Sequence, residues 1–446
     1  MTGHFPLCCK CRSLVVPLDR VPGFTLESSM PAIYRLLAVL GFTGILCSPV
    51  SSGSISVFNV AADFAGNSAS AFAVEGEAGG GTIFYPYQTA PYLVPPQAVG
   101  PNTKIICDQG VILQASTPTA DIFDVTDEHV LIDGCSFNAA GTIRSSQQTG
   151  GAFVHNTGKN LVLQNLRMNG AYIAVRHTGP LPDSFITLRN VFSENQTLRT
   201  TAPGAALFWC DVGSIATLDN VTLNGTSAPQ ASWPTYGIFN DGCYIEASSS
   251  KIFNAQIGGI NAPTSGHSAY FSGVNVSFDT DDFAGFVNSP NGGVVGLAQF
   301  GNSWFAPVGG HGLISDTTGA VLASVGLGTA GGAIIAVKVA NSHLLNYTNG
   351  AGYGVYANGP HSELKILGND IGQHPGLDFY TGIFTVNTGN FTIKDNSVAG
   401  TSGNSIVLSG SALPAYTASY NRLLGTALAD AGTVAAGQTK LIGPNN

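Results

Sequence analysis

At 446 residues the chain is long enough for two or three average domains, yet only 10% of it is charged and no charged or Pro-rich linker divides it. A formal net charge of −9, with Lys and Arg scattered singly, excludes a nucleic-acid partner held by phosphate neutralisation. The 57 glycines, together with abundant Asn, Ser and Thr, favour short strands joined by tight turns.

In chain order, the first feature is an export signal. From Met30 the sequence carries one Arg, an apolar run from Leu36 to Leu46, then small residues around Ser51 and Gly53. The run is too short for a membrane span. Residues 1–53 are therefore read as an upstream segment and signal peptide, 54–425 as one folded domain and 426–446 as a C-terminal tail. The expected location is secreted, periplasmic or cell-surface. Cys8, Cys9 and Cys11 lack a fourth ligand at metal-binding spacing. Cys107, Cys135, Cys210 and Cys243 sit in apolar, strand-like runs and are either stacked core thiols or disulfides.

The strongest signal is a repeat. Short alternating runs such as NLVLQNLRM, SIATLDNVTL, VKVANSHLL and ELKILGNDI each turn at an Asn. The turn residues are Asn165, Asn190, Asn220, Asn254, Asn302, Asn341, Asn369, Asn396 and Asn421, with a further turn near Val274. Gly110 and Gly134 hold the comparable place earlier, and most spacings lie between 21 and 34 residues. One strand group per period in this range is the mark of a solenoid. Asn suits its corner, because it tolerates the left-handed conformation and its amide can bond to the coils above and below. Helical periodicity is missing, and a propeller blade needs about 40 residues. The expectation is an all-β, single-stranded, right-handed parallel β-helix of about 12 coils.

The opening coils, GGGTIFYPYQTAPYLV and NTKIICDQGVILQAS, resemble those of the pectate-lyase-like superfamily. That scaffold carries several activities, so the resemblance bears on fold more than on chemistry.

Three segments place ionisable groups near the strand that follows each coil's second loop: FNDGCYI at 239–245, TDDFAGFVNS at 280–289 and GGHGLISD at 309–316. In order and type they resemble the N-T-D-G, D-D and G-H-G motifs of the polygalacturonase family of glycoside hydrolases. The resemblance implies that Asp281 and Asp282 supply an acid and a base, that Asp241 is a second base, and that His311 tunes the acid. Inverting hydrolysis needs a protonated and an ionised carboxyl about 6.5–9.5 Å apart. The Thr of the first motif is missing, an additional coil separates Asp241 from Asp281, and Tyr356 and Asn358 stand where the family's Arg-x-Lys should fall.

Aligning AYIAVRHTG, ALFWCDVG and GIFNDG puts Arg176 or His177, Asp211, and Asn240 or Asp241 on successive rungs, a glycan-binding groove with Trp209 as a stacking surface. No cofactor is required. Calcium could be held by the Asp279–Asp282 oxygens, although a calcium-dependent lyase would also need a nearby Arg or Lys as base. The expected partner is a polysaccharide. The leading reading is a secreted protein hydrolysing glycosidic bonds by paired carboxylates. The alternatives are a non-catalytic glycan-binding or surface β-helix, adhesin- or tailspike-like, and a polysaccharide lyase.

Overall fold

The computed structural model describes residues 56–139, 151–179, 184–194, 206–212, 215–225, 234–323, 326, 329–372, 376–401, 404–424 and 427–446. The segment read as an export signal, with its expected cleavage region, and the early cysteines lie outside the described residues. No helix among the described residues is long and apolar enough to cross a membrane.

Every named strand pairs in parallel with its counterpart one coil away, giving one sheet of 26 strands and one of 13. The chain is a parallel β-helix of about thirteen turns, against the 12 expected. Each coil contributes a strand to a first ladder, turns a tight corner into a second ladder, and crosses to a third ladder, the 13-stranded sheet. Residues 427–446 continue the stack, with Ala427–Val434 on the third ladder and Lys440–Ile442 on the first. At the other end, helices Val60–Phe64 and Ser68–Glu77 are N-capped by Asn59 and Asn67. The second helix sets Phe72 against Phe123, 5.5 Å between centroids, covering the start of the core.

Alternation decides what is inside. Successive first-ladder strands stack Ile132, Leu163, Leu188, Leu218 and Ala247 in one inward column, each 3% exposed or less. Near the middle the column gives way to an aromatic cluster of Phe271, Phe278, Phe286, Phe300 and Phe305. Two disulfides, Cys107–Cys135 and Cys210–Cys243, bridge adjacent coils, which resolves the choice between thiols and disulfides.

The Asn turns occupy three distinct places. Asn165, Asn190, Asn220, Asn302 and Asn341 sit in the left-handed conformation at the outer corner between first and second ladders, as does Asn275 near Val274. Asn190 and Asn220 each donate to the Asn one coil back, at 3.1 and 2.8 Å. Asn369, Asn396 and Asn421 are the next residue of the corner and point inward, each 1% exposed, with amides linked in series at 2.9 Å. Asn254 belongs to a different corner, where it donates to Asn224 and accepts from Thr280. The corresponding outer corner of its coil is Ser249.

A further column explains several motif-like strings. Gly237, Gly258, Gly285, Gly312, Gly354 and Gly382 fall in register on six consecutive third-ladder strands. A Cβ on Gly258, Gly285, Gly312 or Gly354 would come within 2.9 Å of the next glycine's carbonyl oxygen. Side chains of the second ladder, such as Ile371 against Gly354, press on this strip from the core. The second Gly of G-H-G, Gly312, is one rung of it.

Candidate functional site on the third ladder

After Ala98, the outward row of the third ladder carries polar side chains on successive coils: Asp124, His155 and Arg176, followed by Trp209 and Phe239. The His155 Nδ1 lies 3.1 Å from Asp121 Oδ2, and its Nε2 lies 2.9 Å from the Thr178 hydroxyl one coil on. Asp124 Oδ1 is 3.4 Å from the same Nδ1, a charge contact longer than a good hydrogen bond. Burial alone would raise the Asp121 pKa. The bonds from His155 and from the Ala152 N–H, with the charges of His155 and Arg176, hold it below the ordinary carboxylate value instead.

One coil further, Arg176 Nη2 donates to Asp211 Oδ2 at 3.0 Å, and the Trp209 indole N–H donates to the other Asp211 oxygen. The indole stacks on Phe239 with centroids 4.1 Å apart. A carboxylate, an imidazole and a hydroxyl in series, beside an Arg–carboxylate pair, bring proton-transfer groups together; the Trp209 indole behind them is 8% exposed, so only the partly exposed Phe239 offers aromatic surface.

The residues expected to form a hydrolytic centre do not converge. Asp281 is fully buried: its Oδ1 accepts from the Ala255 N–H at 3.1 Å, while Oδ2 faces the core side of the Gly258 backbone. Burial pushes its carboxyl well above the ordinary value. Neighbouring residues at a strand entry point to opposite sides, so only Asp282, which is partly exposed, is turned toward the surface. Asp282 and His311 are on adjacent coils, as expected. The His311 Nδ1 accepts from the Tyr353 N–H at 3.2 Å, and the ring packs between Phe283 and Tyr353. Burial lowers its pKa to about 4, leaving a neutral imidazole.

Asp241 lies beyond the C-terminal end of the third-ladder strands, whereas Asp281 and Asp282 precede their N-terminal ends. The five-residue strand Ala284–Asn288 alone places roughly 13 Å between those two edges, beyond the separation inversion allows. Asp241 instead staples the next coil, accepting from the Thr264 N–H at 2.5 Å and lying 3.3 Å from His267. A calcium centre is also unsupported: Asp279 faces outward beside Tyr347 while Asp281 faces the core. Among the described residues no group of three His, Cys, Asp or Glu could share a metal ion.

Of the second constellation, Arg176 and Asp211 come together as aligned. His177 and Asn240 do not reach the groove, because each is one residue out of phase and points inward. The His177 Nδ1 bonds to the Asn156 amide at 2.9 Å, and burial lowers its pKa to about 4. Asn240 begins an interior amide series, donating to Asn261, which donates to Asn288, both at 2.9 Å. Tyr356 shares the outward row six coils beyond Arg176, roughly 29 Å away, and stacks with Tyr353 and Phe384. Asn358 donates to Asp316 and Thr318, bracing the loop that leads into the short helix Ala320–Ala323.

Asp121, Asp124, His155 and Thr178 were not among the expected residues. The signal for His155 and Thr178 is in the near-identical strings FVHNTG at 153–158 and AVRHTG at 174–179, and nothing comparable marks Asp121 and Asp124. Aligning the first with the second sets His155 beside Arg176.

The class these observations define is a parallel β-helix with a polar, aromatic-flanked cluster on one outer face. No protein-family model and no curated protein sequence matches the chain. Among solved structures, the chain is similar to the A-module of the mannuronan C-5 epimerase AlgE4 from Azotobacter vinelandii, at 10% identity and TM-score 0.44 over 84% of this chain and 94% of that one. It is also similar to the periplasmic alginate epimerase AlgG, at 9% identity and TM-score 0.42 over 82% and 78%. The catalytic domain of a GH87 alpha-1,3-glucanase follows, at 13% identity and TM-score 0.39 over 82% and 64%. Likenesses this distant say nothing of activity.

Proposed function

We propose that this chain is an exported protein acting on a polysaccharide that lies along the outer face of the third ladder. The observation that carries the reading is the His155 imidazole held between Asp121 and Thr178, one coil from the Arg176–Asp211 pair. In it, His155 exchanges a proton with the bound sugar, Asp121 fixes the ring, and Arg176 with Asp211 positions the glycan. The two disulfides support an oxidising compartment. Hydrolysis by Asp281 and Asp282 is not retained, because a carboxyl facing the core cannot reach a sugar.

A second reading, glycan recognition without turnover, is favoured by one observation: both ring nitrogens of His155 already have partners. Incubating the purified protein with alginate, polygalacturonate and α-1,3-glucan separates the two. New reducing ends, unsaturated ends or an altered monomer composition, abolished in His155→Gln, would establish processing. Retention of polymer with no product would establish binding alone, and neither result would discard the third-ladder site.

A further inference from the structure

From Asn165 to Asn341 the outer corner between first and second ladders is filled by asparagine side chains on successive coils, except at Ser249. A hydroxymethyl is shorter than a carboxamide, so the column is interrupted between Asn220 and Asn275. Beside this gap the outward row of the second ladder runs Lys251, Ser277, Trp304, His343 on consecutive coils. Ser277 is too small to fill the space between the lysine and the indole. The result is a hollow of about 290 Å³ with Lys251 on one wall, Trp304 on the other, and Ser249, Asn275, Ser277 and Asn302 between them. His343 packs beyond the indole, 6.0 Å between ring centroids. Among the described residues no carboxylate pairs with Lys251, and the Trp304 N–H has no acceptor.

We propose that this hollow is a second carbohydrate site, taking one pyranose unit of a polysaccharide, at the corner opposite the third ladder. A sugar ring offers an apolar C–H face and a rim of hydroxyls. The indole supplies an aromatic surface for the first, and the serine, asparagine and lysine groups supply hydrogen bonds for the second. The unit belongs to an acidic or a neutral chain, since Lys251 can meet either a carboxylate or a hydroxyl. The site is independent of the third-ladder cluster. It gives the solenoid a hold on a long polymer while another stretch lies at that cluster, which raises apparent affinity by effective concentration.

Affinity electrophoresis of the full chain in gels containing alginate, polygalacturonate or xyloglucan tests this. The wild type should be retarded by at least one polymer, and Trp304→Ala should weaken that retardation about tenfold, the scale of a lost aromatic contact. Ser277→Phe, which fills the hollow and keeps the indole, should do the same, so the result does not hang on one variant's folding. Lys251→Met should weaken retention by the acidic polymers only if the bound unit is a uronate. Arg176→Ala, altering the third ladder alone, should leave the hollow's contribution in place. The proposal is overturned if no polymer retards the wild type, if Trp304→Ala and Ser277→Phe migrate as the wild type does, or if Arg176→Ala by itself abolishes retention.

Discussion

The carboxyl of Asp281 is pressed against Gly258 so closely that a methyl group on that glycine would overlap Oδ2. Oδ2 has no hydrogen-bond partner, and burial keeps the group protonated well above the ordinary carboxyl value of 3.8. Below 3.8 the folded and unfolded chains are both protonated, and Asp281 gives stability no pH dependence. As pH rises above 3.8 the unfolded chain ionises while the folded chain keeps its proton, so stability falls until the raised folded value is passed. Asp281→Asn removes this slope. Melting temperatures measured from pH 4 upward should show the variant gaining on the wild type as pH increases. A constant difference would mean that Asp281 is ionised in the fold.

The glycine column makes a steric prediction. Gly312→Ala would bring a Cβ to 2.5 Å from the Gly354 carbonyl oxygen, whereas Gly301→Ala meets nothing within 4 Å. Overpacking of this kind costs typically about 1–3 kcal/mol. Chemical denaturation should show that loss for Gly312→Ala and little change for Gly301→Ala. Equal midpoints for the two would contradict the close approach of adjacent coils.

The two places occupied by asparagine should differ in worth. Asn369 is buried and its amide bonds to Asn396 and to the Val339 carbonyl, so Asn369→Leu should cost on the order of 1–3 kcal/mol. Asn190 is exposed at the outer corner, and its replacement by Asp, which also tolerates the left-handed conformation, should cost well under half as much. Thermal melts of the two variants decide it, and similar losses would argue against separate inner and outer series.

Each disulfide closes a loop of about 30 residues, their sequence separations being 28 and 33. By loop entropy each contributes about 3–4 kcal/mol. Replacing Cys210 and Cys243 together by Ser should lower the denaturation midpoint accordingly. Reductant should then affect the variant less than the wild type, and an equal response would mean that the bridge does not form.

Much of the fold was legible because a coil repeats its chemistry: apolar alternation, a corner residue, and a spacing consistent with a solenoid. The register was less so. A corner two residues wide accepts Asn in either position, and the same letter serves as a left-handed turn at Asn341 and as a buried amide at Asn369. A shift of one residue also turns a side chain from groove to core. That is why Arg176 faces outward while His177 and Asn240 lie inside, and why Asp281 and Asp282 part company. The D-D and G-H-G strings looked like chemistry because glycines needed for backbone clearance stood beside ionisable residues. The H-N-T-G string at 155–158, one coil before R-H-T-G, carries no apolar alternation, so the pattern that marks the coils does not single out His155.

Both covalent bridges lie on the early side of the solenoid: after Cys243 the coils are joined by backbone and amide hydrogen bonds and by packing alone. In a stack where each turn touches only its neighbours, such an arrangement defines a direction of failure. A pull on the two ends of the chain would peel coils away from the C-terminal side one at a time, beginning where Asn421 meets Asn445. At Cys243 the tension would pass through the bridge to Cys210, so that the enclosed coil is shielded from the pull and the chain is held 33 residues short of full extension there.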